Sequence, residues 1–426
     1  MNYNTKKRKK TASVITLLGF TSLVLMVATY AWFIGITQVA VDEFEIEVKS
    51  SEGLTISLDA KTYGASLILG EDEITTDLTE YTSNTNHWAR DLDEHGDDNG
   101  LIPISTSGEM DQHNSVLKVF SKSSVATING QYMIRSEQMP NGGAANGLYD
   151  NQEQAGYIVF DMFIKNSSGE NYSSTFDPLT AEAVYLLRQS TTYLEEEDTE
   201  AGIVGGDGVE NSIRVAFMQV GRVDMKSTTA DAQSITCSNG SGADGATVTG
   251  LCNVALNETT SLPEVNVKNS IGLTWNVWEP NEKAHSAPSI EYFGQACKKR
   301  TGIDTYSGSC DALQNGVEYD THTIKLPVGA SDHVNLYDAY NGYYNLDPQP
   351  EFSSKMDNFD TFTDEDKMLS LDEKQIFFYL APNSVTKVRV YIYLEGQDID
   401  NYDMGAVGRK IKMTFGFTKD RYEGIE

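Results

Sequence analysis

The chain has 426 residues, enough for one large domain or two ordinary ones, and a formal net charge of −30. So acidic a protein is excluded as a nucleic-acid binder, because phosphate binding needs clustered Lys and Arg. With 22 tyrosines and 16 phenylalanines, it is also unlike a chain that is disordered throughout.

The N-terminal region predicts export. Residues 1–10 form a basic n-region, and residues 11–41 carry no charge. An apolar stretch of roughly twenty residues spans a bilayer, and a basic flank stays in the cytoplasm. The sequence therefore predicts an extracellular or cell-surface protein that reaches the membrane through its N-terminal segment.

Two interpretations of residues 11–34 remain open. The small residues before Trp32 fit a signal peptide that is cleaved after Ala31. The apolar residues that follow Ala31 instead favour a retained membrane anchor. With an intact leader, the protein would be a single-pass membrane protein with its C-terminus outside.

The exported part, residues 42–418, has strand patterning. Strands are predicted at 44–48, 54–58, 156–165, 212–220, 271–278, 323–328, 377–380, 388–394 and 411–418, with a strand or short helix at 181–188. The strands at 388–394 and 411–418 alternate apolar and polar residues and are predicted to form a hairpin-like pair. Long helical periodicity is nearly absent after the leader.

This pattern predicts an all-β fold, an antiparallel β-sandwich that is jelly-roll-like and is preceded by an N-terminal hydrophobic helix. Two polar, turn-rich stretches, at about 227–262 and 281–369, are interpreted as long loop insertions. Whether the exported part is one sandwich or two is open.

The four cysteines all lie in the exported part, where disulfides persist. Four cysteines allow three pairings, and the local pairing Cys237–Cys252 with Cys297–Cys310 is the simplest. Free thiols are the second interpretation. Zinc is disfavoured because no Cys-x-x-Cys pair is present.

No sequence motif identifies an enzyme. His-Glu-x-x-His and Gly-x-Ser-x-Gly are absent. The acidic loop at 82–100 does not match the EF-hand pattern. Asp91, Asp93 and Gly96 match the calcium-binding loop, but its twelfth position is Ile102 rather than Glu. We therefore predict no catalytic residue and no cofactor, assign no metal ligand, and leave open loose calcium binding by the acidic loops.

Two segments resemble the TasA/camelysin family of secreted bacterial proteins. They are ATYAWF at 28–33, and VRVYIYLEG at 388–396 followed by IKMTFGF at 411–417. The resemblance implies cleavage after Ala31 by a dedicated signal peptidase and a jelly-roll subunit of the extracellular matrix fibres of biofilms. It further implies that residues 32–41, with the strand from Phe44, pass into a neighbouring subunit as an added strand. Some family members are described as metalloproteases, but this chain has no standard zinc motif.

Three functional hypotheses follow. The first is an exported, non-enzymatic structural or cell-surface protein whose partners are copies of itself. The second is a membrane-anchored surface protein that binds a sugar or a cation through acidic, Tyr-rich loops. The third is a secreted hydrolase or metalloprotease with an unrecognised site, for which His285, shortly after Glu279, is the histidine to test.

Overall fold

The computed structural model describes residues 39–48, 53–70, 101, 103–111, 116–121, 124–128, 131–135, 156–168, 171–175, 180–194, 209–252, 254–256, 263–265, 275–281, 337–338, 354–355, 361–370, 373, 375–396, 398, 400 and 409–419. The predicted N-terminal helix at 11–34 and the predicted strand at 323–328 lie outside these residues. Within them strands dominate, and the helices are α1 (Thr229–Gln233), α2 (Asp364–Met368) and a 3-10 turn (Val209–Ser212). The all-β prediction is confirmed.

Six strands form the first sheet, sheet I: β1 (Val39–Val48), β3 (Ser66–Gly70), β9 (Glu182–Leu186), β10 (Thr191–Leu194), β20 (Phe378–Leu380) and β22 (Arg409–Thr418). Their order is β20-β9-β22-β1-β3, and β10 also pairs with β22. The β1–β22 pair is parallel and the other pairs are antiparallel.

Eight strands form the second sheet, sheet II: β2 (Leu54–Ser57), β8 (Tyr157–Asn166), β11 (Ile213–Asp224), β12 (Gly240–Ser241), β13 (Thr247–Gly250), β16 (Trp275–Glu279), β19 (Phe362–Thr363) and β21 (Ser384–Leu394). The main order is β12-β13-β11-β21-β8-β2, with β16 joined to β11 and β19 joined to β16. The pairing of β16 with β19 is parallel and the other pairs are antiparallel.

The other described strands form four small pairs: β4 (Ile104–Asp111) with β5 (Val116–Ser121), β6 (Ser124–Ile128) with β7 (Gln131–Arg135), β14 (Val254–Leu256) with β15 (Pro263–Val265), and β17 (Tyr337–Asp338) with β18 (Ser354–Lys355).

Sheets I and II pack face to face through one hydrophobic core, which makes the fold sandwich-like. Phe217 of sheet II makes edge-to-face contacts with Phe415 and Phe417 of sheet I, at ring-centroid distances of 5.2 and 5.5 Å. Phe377, just before β20, adds a third such contact at 5.1 Å. Burying each of these side chains contributes about 1.5–3 kcal/mol, so this contact holds the two sheets together.

Sheet II is also covered on its other face. There a second core contains Tyr391 and Tyr393 of β21, Val119 of the β4–β5 hairpin, Ala232 of α1, and Cys252. All residues of β8 except one are buried, as predicted for an apolar run that reads as a central strand. Sheet II is therefore the middle layer of this part of the molecule.

Most predicted strands are confirmed with shifted ends. The strand predicted at 54–58 is β2, which ends at Ser57 because Asp59 begins a turn, accepting hydrogen bonds from the backbone N–H groups of Lys61 and Thr62. Residues 181–188 form a strand, β9, and not a helix. The strand predicted at 271–278 corresponds to β16, which ends at Glu279, and Asn281 follows with φ of +58°.

The predicted pairing of the last two strands is wrong. β21 lies in sheet II between β11 and β8, whereas β22 lies in sheet I beside β1, β9 and β10. The alternation in β21 suggested one polar, solvent-facing side, yet all of its residues are buried. The second core covers that side, so β21 is a central strand and the chain crosses to the other sheet before β22.

Candidate functional site

Within sheet I, the strand β1 pairs on one side with β22, from the C-terminal part of the chain, and on the other side with β3, from the N-terminal part. β1 pairs with β22 from Val39–Arg409 to Val48–Phe417, and with β3 from Glu43–Gly70 to Glu47–Ser66. Five residues, 49–53, separate it from β2 in sheet II. β1 is thus held by strands that are distant in sequence, and it continues into the rest of the chain through one short connection.

The register of β1 matches its apolar residues to core positions of β22. The pairs are Phe44 with Met413, Ile46 with Phe415, and Val48 with Phe417. The three β22 side chains are at most 1 % exposed. Paired residues of neighbouring strands share a face of the sheet, so the backbone register puts positions 44, 46 and 48 on the same face as Met413, Phe415 and Phe417.

A buried arginine holds one end of sheet II together. The Arg214 guanidinium donates to Glu279 Oε1 at 2.6 Å and to Asp398 Oδ2 at 2.7 Å, and all three side chains are almost fully buried. It also donates to the backbone carbonyls of Asn211 and Ile213. Burial disfavours the charged guanidinium and so lowers the pKa of Arg214, but the nearby carboxylates of Glu279, Asp398 and Glu395 outweigh this effect and raise the pKa above its ordinary value. This arrangement is a closed ion network that joins β11, β16 and the segment after β21.

A second ion cluster lies on the covered face of sheet II. The Arg389 guanidinium binds both carboxylate oxygens of Asp161, at 2.8 and 3.1 Å, and Lys387 Nζ lies 3.2 Å from Asp161 Oδ2. Burial, with a smaller effect of the Arg389 charge, lowers the pKa of Lys387 despite Asp161. Two cations thus share one buried carboxylate across the β8–β21 pair.

Asp231 ties α1 to the loop that follows β12. Its Oδ1 accepts hydrogen bonds from the backbone N–H groups of Asp244, at 2.8 Å, and Ala246, at 3.2 Å. Its Oδ2 accepts from Thr228, the N-cap of α1, in a capping box. A Cβ at Gly242 would collide with this carboxylate, so the loop needs glycine there. Burial raises the pKa of Asp231, but these hydrogen bonds outweigh that effect and lower it below the usual 3.8.

The Asp231→Asn variant should lose about 1–2 kcal/mol of stability at neutral pH, because charge-assisted hydrogen bonds to a buried carboxylate are lost. A lowered folded-state pKa means that the contribution is complete above the unfolded pKa and is lost as pH falls through the folded pKa. The difference from wild type should therefore shrink below about pH 4. Urea unfolding at several pH values measures this. Asp244 is exposed and accepts a hydrogen bond from Thr228 Oγ1, which an asparagine oxygen can still accept, so Asp244→Asn is the control and should cost less than about 0.5 kcal/mol. Equal losses for both variants would contradict the assignment.

The predicted bridge between Cys237 and Cys252 is present. A cavity of about 710 Å³ lies beside it, lined by both cysteines together with Ser174, Thr175, Asn239, Gly240, Thr247, Val248, Thr249, Gly250 and Val254. That volume is within the range of small-molecule sites, roughly 300–1,000 Å³. Every one of these lining residues is uncharged, in a protein of net charge −30.

The other predicted site residues lie outside the described residues. They are Ala31 and Trp32 at the predicted cleavage point, Cys297 and Cys310, all six histidines including His285, and the acidic loop at 82–100. In the described ranges, no three His, Cys, Asp or Glu side chains are grouped to hold a metal ion. Nor does the described part of the chain contain a helix long and apolar enough to span a membrane.

Sequence reasoning missed the buried polar residues, although two of them, Asp161 and Arg214, carry a signal. Asp161 stands within the apolar run at 156–165, where an unpaired carboxylate would be costly, so a buried cation could have been inferred. Arg214 is also flanked by apolar residues within a predicted strand. No comparable pattern identifies Asp231, because its partners come from a loop whose approach depends on tertiary structure.

Comparison with known proteins identifies no relative. No family model matches the chain, and neither a curated protein nor a solved structure is significantly similar to it.

Proposed function

We propose that this chain is an exported, non-enzymatic structural protein whose copies assemble by exchanging their first strand. The observation that carries the proposal is the position of β1: it lies between β22 and β3 and is joined to the rest of the chain by residues 49–53. A strand held in this way can be supplied by a neighbouring copy without any change in the pairs it makes.

β1 covers one edge of β22 and one edge of β3. Without it, the β1-facing edge of β22 would lose partners along the whole strand, and β3 would lose its pairs from Ser66 to Gly70. Exposed edges of this length recruit other strands. An incoming β1 from a second copy would satisfy the same backbone groups and bring the same apolar residues to the rows of Met413, Phe415 and Phe417.

Export and location follow from the N-terminal sequence. The basic n-region and the apolar residues 11–34 would direct residues 42–418 outward, and cleavage after Ala31 would leave residues 32–38 ahead of β1. A donated strand with a free N-terminal end can enter a neighbour without threading the chain. The finer form of the proposal is a jelly-roll subunit of extracellular matrix fibres.

The test uses two variants of the chain beginning at Trp32, each carrying one engineered cysteine in addition to the four native cysteines. Glu45 of β1 pairs with Thr414 of β22. Glu45→Cys and Thr414→Cys proteins are mixed, incubated under assembly conditions and oxidised. A disulfide joining the two engineered cysteines, located by peptide mass spectrometry, is expected because it can form only when β1 of one copy lies beside β22 of another. Electron microscopy of the same sample should show filaments.

A matched control uses a pair that the proposal keeps within one chain. Thr191 of β10 also pairs with Thr414. Mixed Thr191→Cys and Thr414→Cys proteins should give no specific cross-link. If the Glu45→Cys mixture likewise gives none, and only monomers are seen, strand exchange is wrong. Retention of residues 11–34 in the protein isolated from cells would favour a membrane-anchored surface protein instead.

A further inference from the structure

We propose that the Cys237–Cys252 disulfide is a thiol-exchange site: a low-molecular-weight thiol enters the adjoining cavity and forms a mixed disulfide with Cys237. The cavity is large enough for a small molecule, and both cysteines line it. It therefore holds a sulfur electrophile where a small thiol can reach it. The site lies at the β12–β13 edge of sheet II, whereas β1 lies in sheet I, so the thiol-exchange site is independent of strand exchange.

The two cysteine residues differ in exposure, and we take this difference to set the point of attack. Cys237 is partly exposed, whereas Cys252 is 7 % exposed and packs in the second core. Access decides which sulfur of a disulfide is attacked. Cys237 is thus the sulfur that receives the incoming thiol, and Cys252 is the leaving group.

The environment of Cys252 suits a released thiol. Its Sγ lies 3.6 Å from the Val220 carbonyl oxygen, which can accept a hydrogen bond from the thiol once the bridge opens. Re-attack by Cys252 on the mixed disulfide competes with the adduct, so an excess of the external thiol is needed to populate the adduct on Cys237.

The charge around the cavity favours an anionic nucleophile. The attacking species is a thiolate, and most of this protein's surface would repel it. The cavity walls are uncharged, and the carbonyl of Thr175, one of the lining residues, accepts a hydrogen bond from the buried Arg222 guanidinium. A positive charge therefore stands next to the wall, and a small thiolate meets less repulsion here.

The reaction balances without another oxidant or reductant. The external thiolate sulfur bonds to Cys237 Sγ, the Cys237–Cys252 bond breaks, and its electron pair leaves on Cys252 Sγ, which takes a proton from water. One disulfide is consumed and one is formed. Afterwards residues 237–252 remain attached through the pairing of β13 with β11 and through the hydrogen bonds of Asp231.

The experiment uses the folded full chain and glutathione as the probe, in mildly alkaline buffer. Free thiols are trapped with N-ethylmaleimide after an acid quench, and peptide mass spectrometry locates both labels. The expected result is glutathione on Cys237 and N-ethylmaleimide on Cys252, without unfolding. No adduct in the folded protein, or glutathione on Cys252, would overturn the proposal.

A cavity-filling variant tests the route. Gly240 lines the cavity, and a Cβ there would have no atom within 4 Å, so the leucine of Gly240→Leu meets no obstruction at its Cβ. It should slow glutathione addition by about tenfold, since access governs exchange. Ala243→Leu, at an exposed position outside the lining, is the matched control and should react like wild type. Equal rates for the two variants would contradict entry through the cavity.

A second probe tests whether only a small thiol can react with the disulfide. A folded protein with one exposed cysteine is too large for the cavity and should react much more slowly than glutathione. If it reacts at the same rate, the assignment to a small thiol is wrong.

Discussion

Replacing Arg214 by methionine should lower the free energy of unfolding by about 3–5 kcal/mol, because removing one partner of a buried ion network leaves uncompensated charge. Methionine keeps much of the side-chain length and the apolar packing, so the loss reports mainly on the charge. Glu279 and Asp398 would keep their carboxylates in the interior without the guanidinium that binds both. The urea midpoint should fall with the m-value unchanged, since the folded structure is retained.

The neutralised triple variant is the control for Arg214. Adding Glu279→Gln and Asp398→Asn to Arg214→Met removes the two carboxylates that bind the guanidinium, leaves Glu395 as the one remaining carboxylate of the three that act on Arg214, and should recover part of the lost stability. Thr361 Oγ1 donates to Glu279 Oε2 at 2.6 Å, and a glutamine oxygen can still accept that bond. If Arg214→Met costs less than about 1 kcal/mol, or the triple variant recovers nothing, the network does not stabilise the fold through its charges.

Replacing Asp161 by asparagine should also lower the free energy of unfolding by about 3–5 kcal/mol. Here the charges left unpaired in the interior are cations rather than carboxylates. The carboxylate holds Arg389 through two hydrogen bonds and lies 3.2 Å from Lys387 Nζ. Its removal leaves two like charges buried between the β21 strand and the second core. Thermal or urea unfolding of the variant measures the loss.

Lys387→Met supplies the control for Asp161. Introduced alone, it should be near neutral or stabilising, because burial lowers the pKa of Lys387 and Arg389 already pairs with Asp161. Introduced together with Asp161→Asn, it should restore part of the stability by removing one unpaired cation. An equal loss for Asp161→Asn with and without Lys387→Met would show that the lysine charge is not the cause.

The two variants should respond to pH in opposite directions. In Arg214→Met the carboxyl groups that lose the guanidinium have folded-state pKa values above their unfolded values. The stability lost relative to wild type should therefore shrink as pH falls towards about 4. In Asp161→Asn the folded-state pKa of Lys387 falls further below its unfolded value. The stability that Asp161→Asn loses relative to wild type should shrink as pH rises through the folded-state pKa of Lys387 towards about 10.

Strand positions could be predicted because backbone geometry makes side chains alternate with period two. Leu54 and Ile56 are 4 % and 0 % exposed, and Met413, Phe415 and Phe417 lie in the core, as their alternation predicts. The run of β8, apolar on both sides of Asp161, is typical of a central strand, and nine of the ten β8 residues are buried. Local cysteine spacing also predicted the Cys237–Cys252 bridge.

Strand partners could not be predicted, because pairing joins residues that are distant in sequence. Val388 to Leu394 alternate as clearly as the residues of β22, yet Arg389 is only 7 % exposed. Its burial depends on Asp161 and on the layer that covers sheet II, and neither is visible in the local pattern. For the same reason the sequence suggested a hairpin where the structure has strands in different sheets.

The amino-acid sequence by itself determined the all-β class, most of the strands, one disulfide and the expectation of export, since these depend on composition, short-range periodicity and spacing. Only the tertiary structure decided that β1 lies between β22 and β3, that Arg214 and Asp161 are buried in ion clusters, and that an uncharged cavity adjoins Cys237. Each of these depends on how segments far apart in the chain come together, because packing and the burial of charge are properties of the assembled layers.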